Sequence, residues 1–194
     1  MRQETERKRS AEESYQAFCA GEQSAFDALM AEFQQPLIFF LQGYVHSPEA
    51  AEDLAEEAFV ELLLHKGRFK GQSSFKTFLF SVARHKAIDF LRREQRRRTV
   101  PLEEIAELGM RDDGHSPEEA LEEQERALLL LDAMAQLPQE YGEVLWLLYV
   151  ERLHYEEIAQ VMHKKTKQID NLAYRARNAL RTIVGKEAVR FEEL

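Results

Sequence analysis

Arg84, Lys86, Arg92, Arg93, Arg96 and Arg97 crowd six cations into one short stretch. On a helix, such a row can lie along phosphates. Just upstream, Phe69, Phe75 and Phe78 border a run of amide and hydroxyl side chains, Gln72, Ser73 and Ser74. Aromatic faces beside cations are the ingredients for holding unstacked bases. The same pattern arises if Phe75 and Phe78 are core and the cations are merely solvated, so this segment alone leaves both readings open. Near the C-terminus, Gln168, Asn171, Tyr174 and Arg175 fall near one face at helical spacing. They are hydrogen-bonding types suited to base edges in the major groove and to phosphates.

Covalent chemistry finds no such support. The six histidines, at 46, 65, 85, 115, 154 and 163, are scattered, and none forms a helical pair with an intervening Glu. The one cysteine, Cys19, excludes an internal disulfide and a cysteine-based zinc site. No nucleophile elbow and no phosphate-cradling glycine loop occur. Acid pairs such as Glu56 and Glu57 fit a solvated helix face better than a cleft. No enzyme activity, metal, cofactor or small-molecule substrate is expected.

The elements that must carry these groups read as all-α. Gly (8) and Pro (5) are scarce, which suits helices with short connections. Residues 1–13 read as a loose polar tail. Ser24 is a plausible helix cap, and Pro36 is expected to kink or restart that helix. Ser47-Pro48-Glu49 is a strong helix start, predicting a helix to about residue 64. Ala51, Leu54, Ala55, Ala58 and Leu62 form its apolar side, and Asp53, Glu56, Glu57 and Val60 the other. Residues 65–74 read as a loop. A basic amphipathic helix follows over about 75–97. Residues 99–116 read as an acidic linker, and Ser116-Pro117-Glu118 as a second helix start. A short helix at 155–162, a basic turn at 163–165 and a basic helix from about 166 to 184 make a helix-turn-helix.

The formal net charge of −9 argues against nucleic acid only until its distribution is considered. Residues 66–98 hold eleven Lys/Arg against two acids, and residues 163–186 hold seven against one. Residues 49–61 hold six acids and no base, and residues 99–125 ten acids against one base. Two cationic patches lie between acidic surroundings. No signal peptide or membrane-spanning run is visible, and a reducing cytoplasm is the simplest setting.

Three blocks then resemble the extracytoplasmic-function (ECF, group IV) class of the bacterial sigma-70 family. Residues 48–59, PEAAEDLAEEAF, resemble region 2.2. Residues 69–93, from FKGQSSFKTF to IDFLRR, resemble regions 2.3 and 2.4. Leu137-Pro-Gln-Glu-Tyr141 through Tyr155-Glu-Glu-Ile-Ala to Tyr174-Arg175-Ala-Arg177 resembles region 4. The resemblance implies a region 2 unit over 24–98 and a region 4 unit over 117–185, with extensions at 1–23 and 186–194.

It also implies roles. Asp53, Leu54, Glu56, Glu57, Phe59 and Val60 would dock on the clamp helices of the polymerase β′ subunit, and the factor would also touch the β subunit. Phe69, Lys70, Gln72, Ser73, Ser74, Lys76, Arg84, His85, Arg92, Arg93 and Arg96 would meet the −10 element, the loop capturing a flipped base. Lys167, Gln168, Asp170, Asn171, Tyr174 and Arg175 would meet the −35 element of promoter DNA. An anti-sigma factor is an expected partner. Departures from the family pattern fall at Glu56, Phe78, His85, His163, Lys165 and Asp170; where His163 stands the family usually has Gly, so a strained turn is expected there. The competing reading is a stand-alone helix-turn-helix regulator of duplex operators, which would leave the 48–98 block unused.

Overall fold

The computed structural model describes residues 9–45, 47–97 and 133–192, with side chains to residue 185 in the last helix. Among these residues every regular element is helical, in two bundles. The acidic linker at 99–116, most of the helix expected after Pro117, and residues 1–8 lie outside the described residues.

The N-terminal bundle starts earlier than the sequence suggests. Ser10 opens α1 (Ala11–Cys19) with a reciprocal cap. Its hydroxyl accepts from the Glu13 N–H at 3.2 Å, and the Glu13 carboxylate accepts from the Ser10 N–H at 2.9 Å. Two donors left bare at a helix start are thereby met. Tyr15 and Phe18 then bury themselves in the bundle, so residues expected to trail as an extension are core.

Helix α2 (Gln23–Val45) runs through Pro36 without a break. Proline inside a helix costs about 3 kcal/mol. Phe33, Leu37, Phe40 and Leu41 flank it and are all buried, at about 2 kcal/mol each. Their packing outweighs the lost bond. Helix α3 (Pro48–Leu64) starts where its cap predicts, with the Ser47 hydroxyl accepting from the Ala50 N–H at 3.3 Å. Helix α4 (Phe75–Arg97) follows the loop. Aromatic rings tie the four together: Phe18 to Phe26 at 4.8 Å, Phe26 to Phe59 at 6.1 Å, Phe33 to Phe75 at 5.7 Å, and Phe40 to Phe80 at 5.1 Å between centroids.

The C-terminal bundle comprises α5 (Gln139–Leu145), a π-helical segment (Trp146–Val150), α6 (Tyr155–Val161) and α7 (Thr166–Glu192). Helix α7 runs on through most of the residues expected to form a tail. Val144, Leu147, Ile158, Ile169, Ala173 and Ala176 are fully buried between these elements. The turn between α6 and α7 is strained as expected: His163 has φ +50. The Lys164 N–H donates to the Ala159 carbonyl at 2.9 Å and the His163 N–H to the Gln160 carbonyl at 3.3 Å. This is a Schellman ending with histidine where glycine is favoured. The two bundles touch, α4 against α6 and α2 against α5.

Candidate nucleic-acid interface

The loop at 65–74 is shaped by glycines at φ +84 (Gly67) and +69 (Gly71). Phe69 packs edge-on against Tyr15 at 5.5 Å and Phe75 at 5.6 Å, and tilted on Phe78 at 5.3 Å. Phe75 is fully buried, whereas Phe69 and Phe78 are half-buried. The ambiguity over these aromatics resolves residue by residue: Phe75 is core, and the other two border a cavity of about 220 Å³. Arg68, Lys70, Gln72 and Ser73 line its rim, with Gln160 closing it from the other bundle. Cations, amides and aromatic rings thus share one small hollow, the combination that grips an unstacked base.

Helix α1 holds this loop. The Glu12 carboxylate accepts from the Phe75 N–H at 2.7 Å, and the Tyr15 hydroxyl accepts from the Gly67 N–H at 3.1 Å. Lys66 sits over the Phe18 ring at 4.3 Å. The Ser74 hydroxyl accepts from the Thr77 N–H at 3.2 Å. Glu12 and Ser74 therefore satisfy two of the first donors of α4 from different elements. The Phe75 N–H holds the Glu12 carboxyl below its ordinary value, against partial burial. Sequence reasoning missed Glu12 and Tyr15. The Ser10-x-x-Glu13 cap ahead of Tyr15 and Phe18 was the signal that could have found them.

Along α4, His85, Arg92, Arg93 and Arg96 are exposed. Arg84 is not: its guanidinium donates to the Glu143 carboxylate at 2.6 Å, with side chains 11% and 2% exposed. Burial pushes the Glu143 carboxyl up, and Arg84 only partly offsets it. Lys76 meets the Glu151 carboxylate at 2.7 Å and the Glu151 carbonyl at 2.9 Å. The hydroxyls of Ser74 and Thr77 each donate to Glu157 at 2.9 Å. Burial pushes the Glu157 carboxyl up, but these bonds and the His154 N–H hold it below its ordinary value. Three residues expected to face DNA are thus engaged by glutamates of the C-terminal bundle.

On α3, Asp53, Glu56, Glu57 and Val60 are exposed, with Leu63 and Leu64 continuing the strip. Leu54 and Phe59 are 4% and 2% exposed. They anchor α3 in its bundle and offer no docking surface, a correction to their expected role. Lys86 bridges Glu57 and Glu61 at 3.5 and 3.6 Å.

On α7, Lys167, Gln168, Asp170, Asn171, Tyr174 and Arg175 are all exposed on the start of the helix. Gln168 has a local duty that sequence reasoning missed. Lys165 stands where a small capping residue is usual, and the Gln168 side chain reaches back to accept from the Lys165 N–H at 2.8 Å. Behind the face, Arg177 donates to the hydroxyls of Tyr155 and Tyr149 at 3.4 and 3.5 Å. Among the described residues no acid, histidine or cysteine cluster could hold a metal, and no helix is long and apolar enough to cross a membrane.

An exposed acidic strip, an aromatic and cationic hollow, and a helix-turn-helix meet in one chain. Residues 29–97 match sigma-70 region 2, and residues 127–180 match sigma-70 region 4. The chain is 32% identical over 166 residues to the RNA polymerase sigma-H factor of Pseudomonas aeruginosa, covering 82% of this chain and 86% of that protein. It is 28% identical over 160 residues to the ECF sigma factor SigM of Bacillus subtilis, covering 82% and 95%. The chain belongs to the sigma-70 family, in its ECF class. It is an RNA polymerase sigma factor, a transcription initiation factor. The region 2 match accounts for the block that a stand-alone helix-turn-helix regulator would leave idle.

Two solved structures share the fold. The sigma factor RpoE of Bartonella quintana, in complex with the anti-sigma factor NepR, matches with a TM-score of 0.67 at 20% identity over 82% of this chain and 96% of that one. CnrH in complex with the cytosolic domain of CnrY matches with a TM-score of 0.63 at 18% identity over 89% and 96%.

Proposed function

We propose that three faces divide the work of initiation. The exposed strip of α3, Asp53, Glu56, Glu57 and Val60, docks on core RNA polymerase at the β′ clamp helices. The hollow at 65–74 holds a base of the opened −10 strand, while His85, Arg92, Arg93 and Arg96 grip that strand along α4. Asn171, Tyr174 and Arg175 read the −35 duplex from α7, flanked by Lys167, Gln168 and Asp170. The working units are residues 24–98, braced by α1, and residues 117–185, joined by the acidic stretch 99–116.

The observation that carries this reading is the hollow itself, where Phe69 and Phe78 stand beside Arg68 and Lys70. Stacking is worth about 1–3 kcal/mol per base, on the scale of the few kcal/mol that unstacking costs. Promoter melting can then be driven by binding alone. The protein catalyses nothing; the polymerase does the chemistry. It works in the cytoplasm beside its polymerase, without cofactor, and an anti-sigma factor restrains it.

Run-off transcription with purified core polymerase tests this. Arg92→Ala with Arg93→Ala lowers open-complex formation at least tenfold and leaves core binding intact. Equal loss of both would break the division between α3 and α4.

A further inference from the structure

Tyr15 carries into the core a group that packing does not require. It is 2% exposed, with its ring against Phe18, Phe69 and Phe75, a place that phenylalanine would fill as well. A buried hydroxyl is costly unless it is hydrogen-bonded. This one accepts from the Gly67 N–H at 3.1 Å. Burial pushes the Tyr15 hydroxyl up, and the Gly67 and Phe69 N–H groups pull it back only in part.

The loop at 65–74 has little of its own to hold it. Gly67 and Gly71 both stand at positive φ, conformations that glycine enters and leaves freely. Within the loop the Arg68 N–H donates to the His65 carbonyl at 3.1 Å. Helix α1 ties it down from one face, at intervals of three residues. Glu12 takes the Phe75 N–H past the loop's far end, Tyr15 takes the Gly67 N–H, and the Phe18 ring lies under Lys66. The Tyr15 ring also sets Phe69. That residue meets Tyr15 and Phe75 edge-on, at interplanar angles of 85° and 87°. Two buried rings thus fix its tilt toward Phe78 and the hollow.

We propose that Tyr15 is a positioning residue for base capture: its hydroxyl fixes the Gly67 turn and its ring fixes Phe69, so the hollow stands formed before a base arrives. Helix α1 lies ahead of residues 29–97, the stretch that matches region 2, and adds a part that this match does not include. A site set in advance loses less freedom when its ligand binds. Without the hydroxyl, Gly67 leaves its turn, and each captured base must first order the loop. The inference rests on the proposed base-holding role of the hollow, and the experiment keeps the two apart.

Tyr15→Phe keeps the ring and removes only the hydroxyl. The full-length variant is assembled with core polymerase and mixed with a promoter that wild type transcribes. The −10 element of that promoter is left unpaired, and 2-aminopurine replaces each base of its nontemplate strand in turn. In wild type one position changes fluorescence apart from its neighbours and marks the captured base. Tyr15→Phe shifts the local equilibrium at that position about fivefold toward free base, the worth of one hydrogen bond. Core binding, −35 duplex binding and the signals at the neighbouring positions stay as in wild type. A merely structural tyrosine would lower stability and leave that equilibrium unmoved in the folded protein. Phe69→Ala also lowers capture, and adding Tyr15→Phe to it changes nothing more, because the ring to be positioned is gone.

A Tyr15→Phe variant that captures as wild type does overturns the positioning role, as do additive losses in the double variant. If no −10 position reports in wild type, the hollow holds no base, and its proposed role fails together with the inference. One arm needs no substitution. In free wild type the Gly67 amide exchanges with solvent about tenfold more slowly than those of Lys70 and Gln72, each corrected for its intrinsic rate. Equal rates overturn the proposal even if the variants fail to fold.

Discussion

Helices α4 and α7 carry similar positive charge and differ in what already faces them. On α7 the six residues assigned to the −35 element are all exposed, and Gln168 alone among them bonds the turn before it. On α4 the cations nearest its start are engaged by the other bundle, while Arg92, Arg93 and Arg96 beyond them are exposed, Arg92 pairing only with Asp89 of its own helix at 3.5 Å. A duplex reader meets DNA as it comes, so a preset open face suits it. The same residue types thus lie exposed on one helix and serve as structural partners on the other.

The largest expected effect separates these two uses by stability. Arg84→Ala leaves Glu143 buried at 2% exposure without its cation, and breaking a buried pair on one side costs about 3 kcal/mol. Tyr174→Ala with Arg175→Ala touches only exposed groups and should stay within about 0.5 kcal/mol. Denaturant unfolding reads both. In transcription the order reverses for the −35 element: the α7 pair lowers initiation from a −35-dependent promoter about tenfold, the discrimination of one good base contact. Equal stability losses for the two variants would erase the contrast between the faces.

Local signals were legible wherever one element set them. The Ser47-Pro48 start of α3, the basic span of α4 and the two helices of the helix-turn-helix all lie where caps and periodicity place them. Long-range contacts were not. Nothing beside Glu143 or Glu157 announces a partner on α4, because both match an ordinary first-turn or surface acid. Leu54 and Phe59 entered the docking face through family resemblance, although the helical period already put Leu54 inside. Pro36 misled for the opposite reason: its local penalty was visible, and the tertiary packing that outweighs it was not. Helix α1 was overlooked because a polar, mixed-charge start hid a cap and two buried aromatics.

A smaller effect tests whether α1 is a brace or only a covering. The folded Glu12 carboxyl titrates below its ordinary value of 4.5, chiefly through the Phe75 N–H. A depressed carboxylate contributes stability that is present above the unfolded value and is lost as pH falls through the folded one. Glu12→Gln should therefore cost about 1 kcal/mol at pH 7, the worth of a helix cap. Its difference from wild type should shrink steadily below about pH 4.5. Thermal unfolding across pH 3–7 measures both curves. Parallel curves would mean that the charge on Glu12 does not matter to the loop. Promoter opening should fall along with loop order, whereas −35 binding, on the other bundle, should not move.

The smallest effect has the opposite sign and sits beside α7. His163 occupies the left-handed ending of α6 at φ +50, where a side chain crowds its own carbonyl by about 1 kcal/mol. Glycine adopts that conformation without the clash, though it gives up more freedom on folding. His163→Gly should therefore raise stability by about 0.5 kcal/mol. How the gain appears depends on the contact between the bundles. If Glu143 and Glu157 couple the bundles, the protein unfolds in one transition and all of it shifts upward. If Glu143→Gln with Glu157→Gln uncouples them, only the C-terminal transition moves, and the N-terminal bundle melts as before. A shift confined to one transition in the wild type would show that the bundles already melt apart, and the contact between them would then be too weak to hold α4.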